Sequence, residues 1–218
     1  LGTKTNDPFD AGQIALYEKN YPKASAQFDV SLHEREATLK TTEEQVEQEK
    51  LRVAEAASFL GQSLLQQYRC KEAKQAVEKG LEVLPNNPQL LNDEGVSEEC
   101  ASDFSAEEQS LRKAIAASER TQGADNSDEA TYVENLAKLL IRIGQKLPEA
   151  ETLLQKGLAL NQRYRGAESY AALWSTEELG MLYFVEHDAE KSRKFIDESL
   201  ALIRKVQPPG SSDLASQL

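Results

Sequence analysis

Residues 68–88 read YRCKEAKQAVEKGLEVLPNNP. Within them Ala73, Val77, Gly80 and Leu81 fall at steps of four, three and one, and Pro85 follows four residues later. The spacing predicts an amphipathic helix closed by proline. The same steps recur along the chain: Ala24, Phe28, Ser31, Leu32; Glu107, Leu111, Ala114, Ile115; Ala150, Leu154, Gly157, Leu158; and Ser192, Ile196, Ser199, Leu200. Glu107 breaks the small-residue rule at the opening position. About twelve residues ahead of each stands another small residue: Gly12, Gly61, Gly95, Ala137 and Gly180, at intervals of 49, 34, 42 and 43 residues.

Small residues on two antiparallel helices allow close approach at their crossing, and the apolar residues beside them fill the groove of the next pair. One hairpin cannot bury both of its faces, so hairpins must stack. The expected fold is all-α: an α-solenoid, a right-handed superhelix of about five helix-turn-helix hairpins. A single domain is expected over residues 1–218, with repeats near 5–40, 41–87, 88–122, 127–166 and 168–206. Residues 207–218 then form a tail or the start of a capping helix.

These residues carry a resemblance to the tetratricopeptide repeat, a 34-residue helix-turn-helix with Gly or Ala in mid helix A, Ala opening helix B and Pro near the end. Residues 54–87 match best, through Gly61, Ala73, Gly80 and Pro85. The longer intervals, and EATYVENLAKLLIRIGQKLPEAETLLQKGLAL at 129–160, are similar to repeats of the kinesin-light-chain type, which are also widespread in bacterial proteins. The resemblance implies a non-enzymatic protein-interaction scaffold whose contacts come from helix A positions facing a concave groove. Those positions are Gln13 and Tyr17; Ser58, Gln62 and Gln66; Asn92, Val96 and Glu99; Glu134, Asn135, Lys138 and Arg142; and Trp174, Glu177, Met181 and Phe184. In kinesin-light-chain-like repeats Asn residues of helix A hold a peptide backbone. Here only Asn135 sits in the matching Asn-Leu-Ala phrase.

Two features are read from the residues themselves. Lys138, Arg142 and Lys146 share one helix face, to grip an acidic group or to complement the helix dipole. Trp174, Met181 and Phe184 form a stripe that is core on one reading and a partner's anchor on the other.

The turns fit the repeat. Asp7-Pro8 and Tyr21-Pro22 read as a cap followed by an N1 proline, Pro148 stands near the start of a helix, and Ser127 and Ser169 are expected caps after the loops at 118–127 and Arg165-Gly166. Residues 33–53 lack Gly and Pro. They are expected to continue one helix to about 39 and to start the next near 42, with capping boxes at Thr41 and Thr42. That hairpin is a solvated tip or a contact for a partner or a homodimer. Pro208, Pro209 and Gly210 end the last hairpin, and 213–218 opens a sixth or a capping helix.

The net charge of −12 disfavours nucleic acid and anionic lipid as partners. No apolar run approaches the roughly 20 residues of a membrane span. The polar start lacks the apolar stretch of a signal peptide. A chain opening on Leu1 reads as a trimmed piece or as a mature secreted form, so cytoplasmic, periplasmic and secreted settings all stay open, the first slightly favoured. Cys70 and Cys100 fit no zinc or redox spacing. Free, mostly buried thiols are expected, with a disulfide between neighbouring repeats as the alternative. His33 and His187 have no partner at metal-ligand spacing, and no catalytic or phosphate-binding motif occurs, so neither cofactor nor metal is called for. The rival function is a sensory or regulatory domain that binds a small ligand or signalling peptide. An RNA-binding repeat fits the charge poorly.

Overall fold

A computed structural model describes residues 7–38 and 43–206. Among them are ten helices and no strand: α1 (Pro8–Tyr17), α2 (Tyr21–Thr38), α3 (Glu43–Leu65), α4 (Cys70–Val83), α5 (Pro88–Glu99), α6 (Phe104–Gln122), α7 (Glu129–Arg142), α8 (Leu147–Arg165), α9 (Tyr170–Val185) and α10 (Ala189–Val206). The chain has an all-α helical-repeat fold. Two compact units divide it, Leu1–Ala117 and Ser118–Leu218, with the division inside α6.

The repeated steps set one turn geometry in every hairpin. Each first helix ends with an N–H reaching back five residues: Asn20 to Ala15, Arg69 to Leu64, Asp103 to Glu98, Gln145 to Leu140 and Asp188 to Tyr183. This satisfies carbonyls that the helix end leaves open, and it needs a left-handed residue just before the donor. That residue is Lys19, Tyr68, Ser102, Gly144 and His187 in turn. Four residues after each donor come the openers Ala24, Ala73, Glu107 and Ser192, and four after Lys146 comes Ala150. The backbone N–H of each opener donates to the carbonyl four residues back.

Caps follow the local chemistry. Asp7 accepts from the Phe9 N–H at 2.7 Å, and Ser169 accepts from Ala172 at 3.1 Å. Two expected caps are corrected. Asn20 rather than Tyr21 caps α2, accepting from Lys23, because Pro22 stands at the second helical position. Ser127 does not cap α7; Asn126 Oδ1 accepts from the N–H groups of both Asp128 and Glu129. The loop expected at 118–127 is also shorter, since α6 continues to Gln122.

The small residues mark the tightest crossings. A Cβ added to Gly61 would lie 2.7 Å from Val77 Cγ2, so the α3 backbone packs directly on the Val77 side chain of α4. Around this seam Ala24, Phe28, Leu32, Val53, Ala57, Ala73, Val77 and Leu90 are all closed to solvent. Phe9, Phe28 and Phe59 form an aromatic cluster, with centroids 5.2–5.7 Å apart. In the C-terminal unit the same positions bury Ala137, Ala150, Leu154, Ala172 and Leu179.

The expectation of free thiols is overturned: Cys70 and Cys100 form a disulfide, with Cα atoms 5.8 Å apart. The short link at 84–87 turns α5 back along α4, which brings the start of one helix to the end of the other. Thr41, Thr42, the 39–42 tip of the projecting hairpin and everything expected of 207–218 lie outside the described residues. Arg35 Nη1 approaches Glu49 Oε2 at 3.8 Å, joining the two limbs below that tip.

Candidate functional site

In the N-terminal unit α3 and α5 meet at Asp93. This residue is 3% exposed although it sits among acidic neighbours on α5. Ser58 Oγ donates to its Oδ2 at 2.5 Å, Gln62 Nε2 reaches its two oxygens at 3.2 and 3.4 Å, and Gln89 Nε2 donates to Oδ1 at 2.9 Å. Asn92 is a further partner and is itself buried, at 3% exposure. All these partners are neutral. Burial therefore dominates and pushes the Asp93 carboxyl up to about 6, against the opposing pull of the hydrogen bonds.

The sign of the pH effect follows from that raised value. Between about pH 4 and pH 6 the folded state holds the Asp93 proton and the unfolded state does not, so this group's contribution falls as pH rises through that window and is level above it. Asp93→Asn is expected to remove a loss on the order of 2–3 kcal/mol between pH 4 and 6. Urea melts of both proteins at several pH values measure it, and identical slopes of stability against pH would contradict it.

Above the Asp93 cluster lies a cavity of about 380 Å³, walled by Phe9 and Phe59 and edged by Gln13, Glu55, Gln62 and Asn87. Gln62 and Asn92 are thus brought together, but Asn92 is used up as a buried partner of Asp93. Gln66 and Tyr17 are exposed and are not among the cavity's lining residues.

In the C-terminal unit α7 and α9 lie side by side. Glu134 on α7 accepts from Ser175 Oγ at 2.5 Å and Asn161 Nδ2 at 2.8 Å. A Cβ on Gly157 would come within 2.8 Å of its side chain, so the Glu134 side chain lies directly on the α8 backbone. Burial pushes the Glu134 carboxyl up, with the Ser175 hydrogen bond opposing. Asn135 is half-buried on the same helix. Lys138 Nζ stands 5.2 Å from the centre of the Trp174 ring and 3.4 Å from Glu178. The cation therefore lies over an aromatic face while a carboxylate holds it. Arg142 and Lys146 are exposed.

The stripe on α9 is not core. Trp174, Met181 and Phe184 are 56%, 54% and 68% exposed. With Tyr170 and Glu177 they fall at steps of four and three, so they share one helix face. The opposite face carries the buried Ala172, Leu173, Thr176, Leu179 and Tyr183. Desolvation, then the neighbouring Glu178, raises the carboxyl of Glu177 within this apolar strip.

Asp93 was not singled out in the sequence. Its only signal was an acid inside the phrase PQLLNDEGV, one residue before Glu94, where acids are ordinarily solvated. Ser175 and Asn161 gave no signal at all, because their roles depend on Glu134, 27 or more residues away.

The geometry defines a class: tandem helical hairpins in which a small residue of one helix admits a side chain of a neighbouring helix at close range. Within that class the fold is the tetratricopeptide repeat. BtubC (BKLC) from P. vanneervenii superposes with a TM-score of 0.74 at 18% identity, over 90% of this chain and 78% of that one. The putative kinesin light chain nearly identical TPR-like repeats of Podosopora anserina give 0.65 at 14%, over 92% and 95%. YrrB, described as a TPR protein with an unusual peptide-binding site, gives 0.54 at 16%, over 96% and 90%. No protein-family model matches the sequence, and no curated protein is similar to it by sequence.

Proposed function

We propose that this chain is a non-enzymatic interaction module that holds a peptide or partner helix against the first helices of its hairpins. In the C-terminal unit the partner lies along α9. Trp174, Met181 and Phe184 supply apolar anchors, and Lys138 and Arg142 orient it. The observation that carries this reading is the exposure of those three large side chains on one helix face, in a chain whose other first-helix apolar residues are mostly buried. Isolated exposed apolar residues are ordinary, whereas an aligned strip of aromatic and Met side chains fits a binding face. YrrB supports the reading as a protein of the same fold described as having a peptide-binding site.

Trp174 is the chain's one tryptophan, so its emission reports directly on the strip. Peptides selected by display against the intact chain are expected to shift that emission. Met181→Glu with Phe184→Glu is expected to weaken them at least about tenfold with helicity unchanged, since two anchors are each worth 1 kcal/mol or more. Selected peptides that bind both proteins equally, with Trp174 emission unmoved, would reject α9 as the site.

A further inference from the structure

The exposed strip on α9 has a period. Tyr170, Trp174, Glu177, Met181 and Phe184 follow one another at steps of four, three, four and three. All five are exposed to solvent. Alternate steps of three and four are the spacing at which one helix seats its side chains between those of another. At about 1.5 Å of rise per residue the strip runs about 21 Å, with its side chains about 5 Å apart along the axis. An extended chain presents same-face side chains about 6.8 Å apart, so over five positions it drifts about 6 Å, more than a whole step. A helix laid along α9 keeps register with every position.

The middle of the strip is charged. Glu177 stands seven residues from both Tyr170 and Phe184. Its neighbours on the face, Trp174 and Met181, are apolar, and desolvation with Glu178 alongside already works against its charge. Among the described residues no lysine or arginine pairs with it. Lys138 is turned to Glu178 and to the Trp174 ring instead.

That placement selects the occupant. A partner covering the strip with apolar side chains alone would take the Glu177 carboxylate out of water unpaired, which is costly. A second copy of α9 laid in register, in either direction, would set two Glu177 carboxylates against each other. A cation in the partner turns the cost into an attraction, and one charged position inside an apolar seam also fixes the register.

We infer that, granted α9 as the docking face, its occupant is an amphipathic helix of about four turns with one lysine or arginine in the middle of an otherwise apolar face, opposite Glu177. Large apolar side chains on either side of that cation meet Trp174 and Met181.

Titrations of the intact chain with synthetic helices, read by Trp174 emission and by calorimetry, test it. Each peptide is about 18 residues long, capped at both ends, with Leu at the heptad a and d positions and Ala and Gln elsewhere. The first has Lys at one central d position. The second exchanges that Lys with a Gln on the outward face, so composition and net charge are unchanged. The third has Glu at the central position, and the fourth is the first with a Pro in mid helix. The first is expected to bind at least about fivefold more tightly than the second and about tenfold more tightly than the third and fourth. Glu177→Gln, checked for unchanged helicity, is expected to bring the first two level, and Glu177→Lys to make the third the tightest. Equal binding of the first two, a preference that survives Glu177→Gln, undiminished binding of the Pro peptide, or no binding of any of the four overturns the inference. So does self-association of the chain that moves Trp174 emission as concentration rises. In any of these cases, display-selected peptides that still shift Trp174 emission and are weakened by Met181→Glu with Phe184→Glu leave α9 as the docking face. Loss of that effect too removes the face itself.

Discussion

Gly80→Leu is expected to destabilise the N-terminal unit by about 4 kcal/mol, near the upper end for single substitutions. A Cβ at this position would already lie 2.8 Å from Ala57 Cβ on α3 and 2.8 Å from a methyl carbon of Leu90 on α5. Ala57 cannot yield, since its Cβ is fixed to the backbone, so α4 itself must move away from α3. That movement opens a seam in which Ala57, Ala73, Val77 and Leu90 are closed to solvent. The lost contacts add to the strain of the inserted carbons. Gly80→Ala makes a useful companion. It introduces only the Cβ, and Ala is favoured over Gly in a helix by about 1 kcal/mol, which offsets part of the clash. Its expected cost is about 1 kcal/mol. Glu78→Leu, on the exposed face of the same helix, is expected to change stability by less than about 0.5 kcal/mol. Urea melts measure all three, and a Gly80→Leu protein as stable as Glu78→Leu would show that the close crossing does not exist in solution.

Removing the disulfide is expected to cost the same unit about 3.5 kcal/mol. Cys70 and Cys100 are 30 residues apart in sequence, and closing a loop of that length takes about this much entropy from the unfolded chain. The bridge ties the start of α4 to the cap of α5, so it guards the end of the hairpin stack remote from Gly80. Urea melts of the oxidised protein, the reduced protein and a Cys70→Ser, Cys100→Ser variant are expected to place the last two together, below the first. Cys100 is exposed, so reductant reaches the bond without unfolding. Two titratable thiols in the denatured, unreduced protein would refute the pairing outright.

The α9 helix shows where local pattern stops being informative. Its sequence, YAALWSTEELGMLYFV, carries large apolar side chains on both faces. Periodicity therefore marks a helix but does not choose which face is inside. Packing chooses: Leu173, Leu179 and Tyr183 turn inward, and Trp174, Met181 and Phe184 are left out. Lys138 was legible as part of a basic face, yet its position over Trp174 depends on how α7 and α9 lie together, 36 residues apart in sequence. Asn92 was read as a groove contact. It is buried, at 3% exposure, as a hydrogen-bond partner of Asp93, in a place set by the packing of α5 on α3.

By itself the sequence determined the helices, their pairing into hairpins and the small-residue register at Gly12, Gly61, Gly80, Gly95, Gly157 and Gly180, because helix period and close-crossing requirements are written over a few neighbouring positions. Only the tertiary structure decided the Cys70–Cys100 bond, the neutral ring around Asp93 and the outward turn of Trp174, Met181 and Phe184. Each of these depends on distances or burial fixed between separate helices once they stack, and no local spacing encodes them.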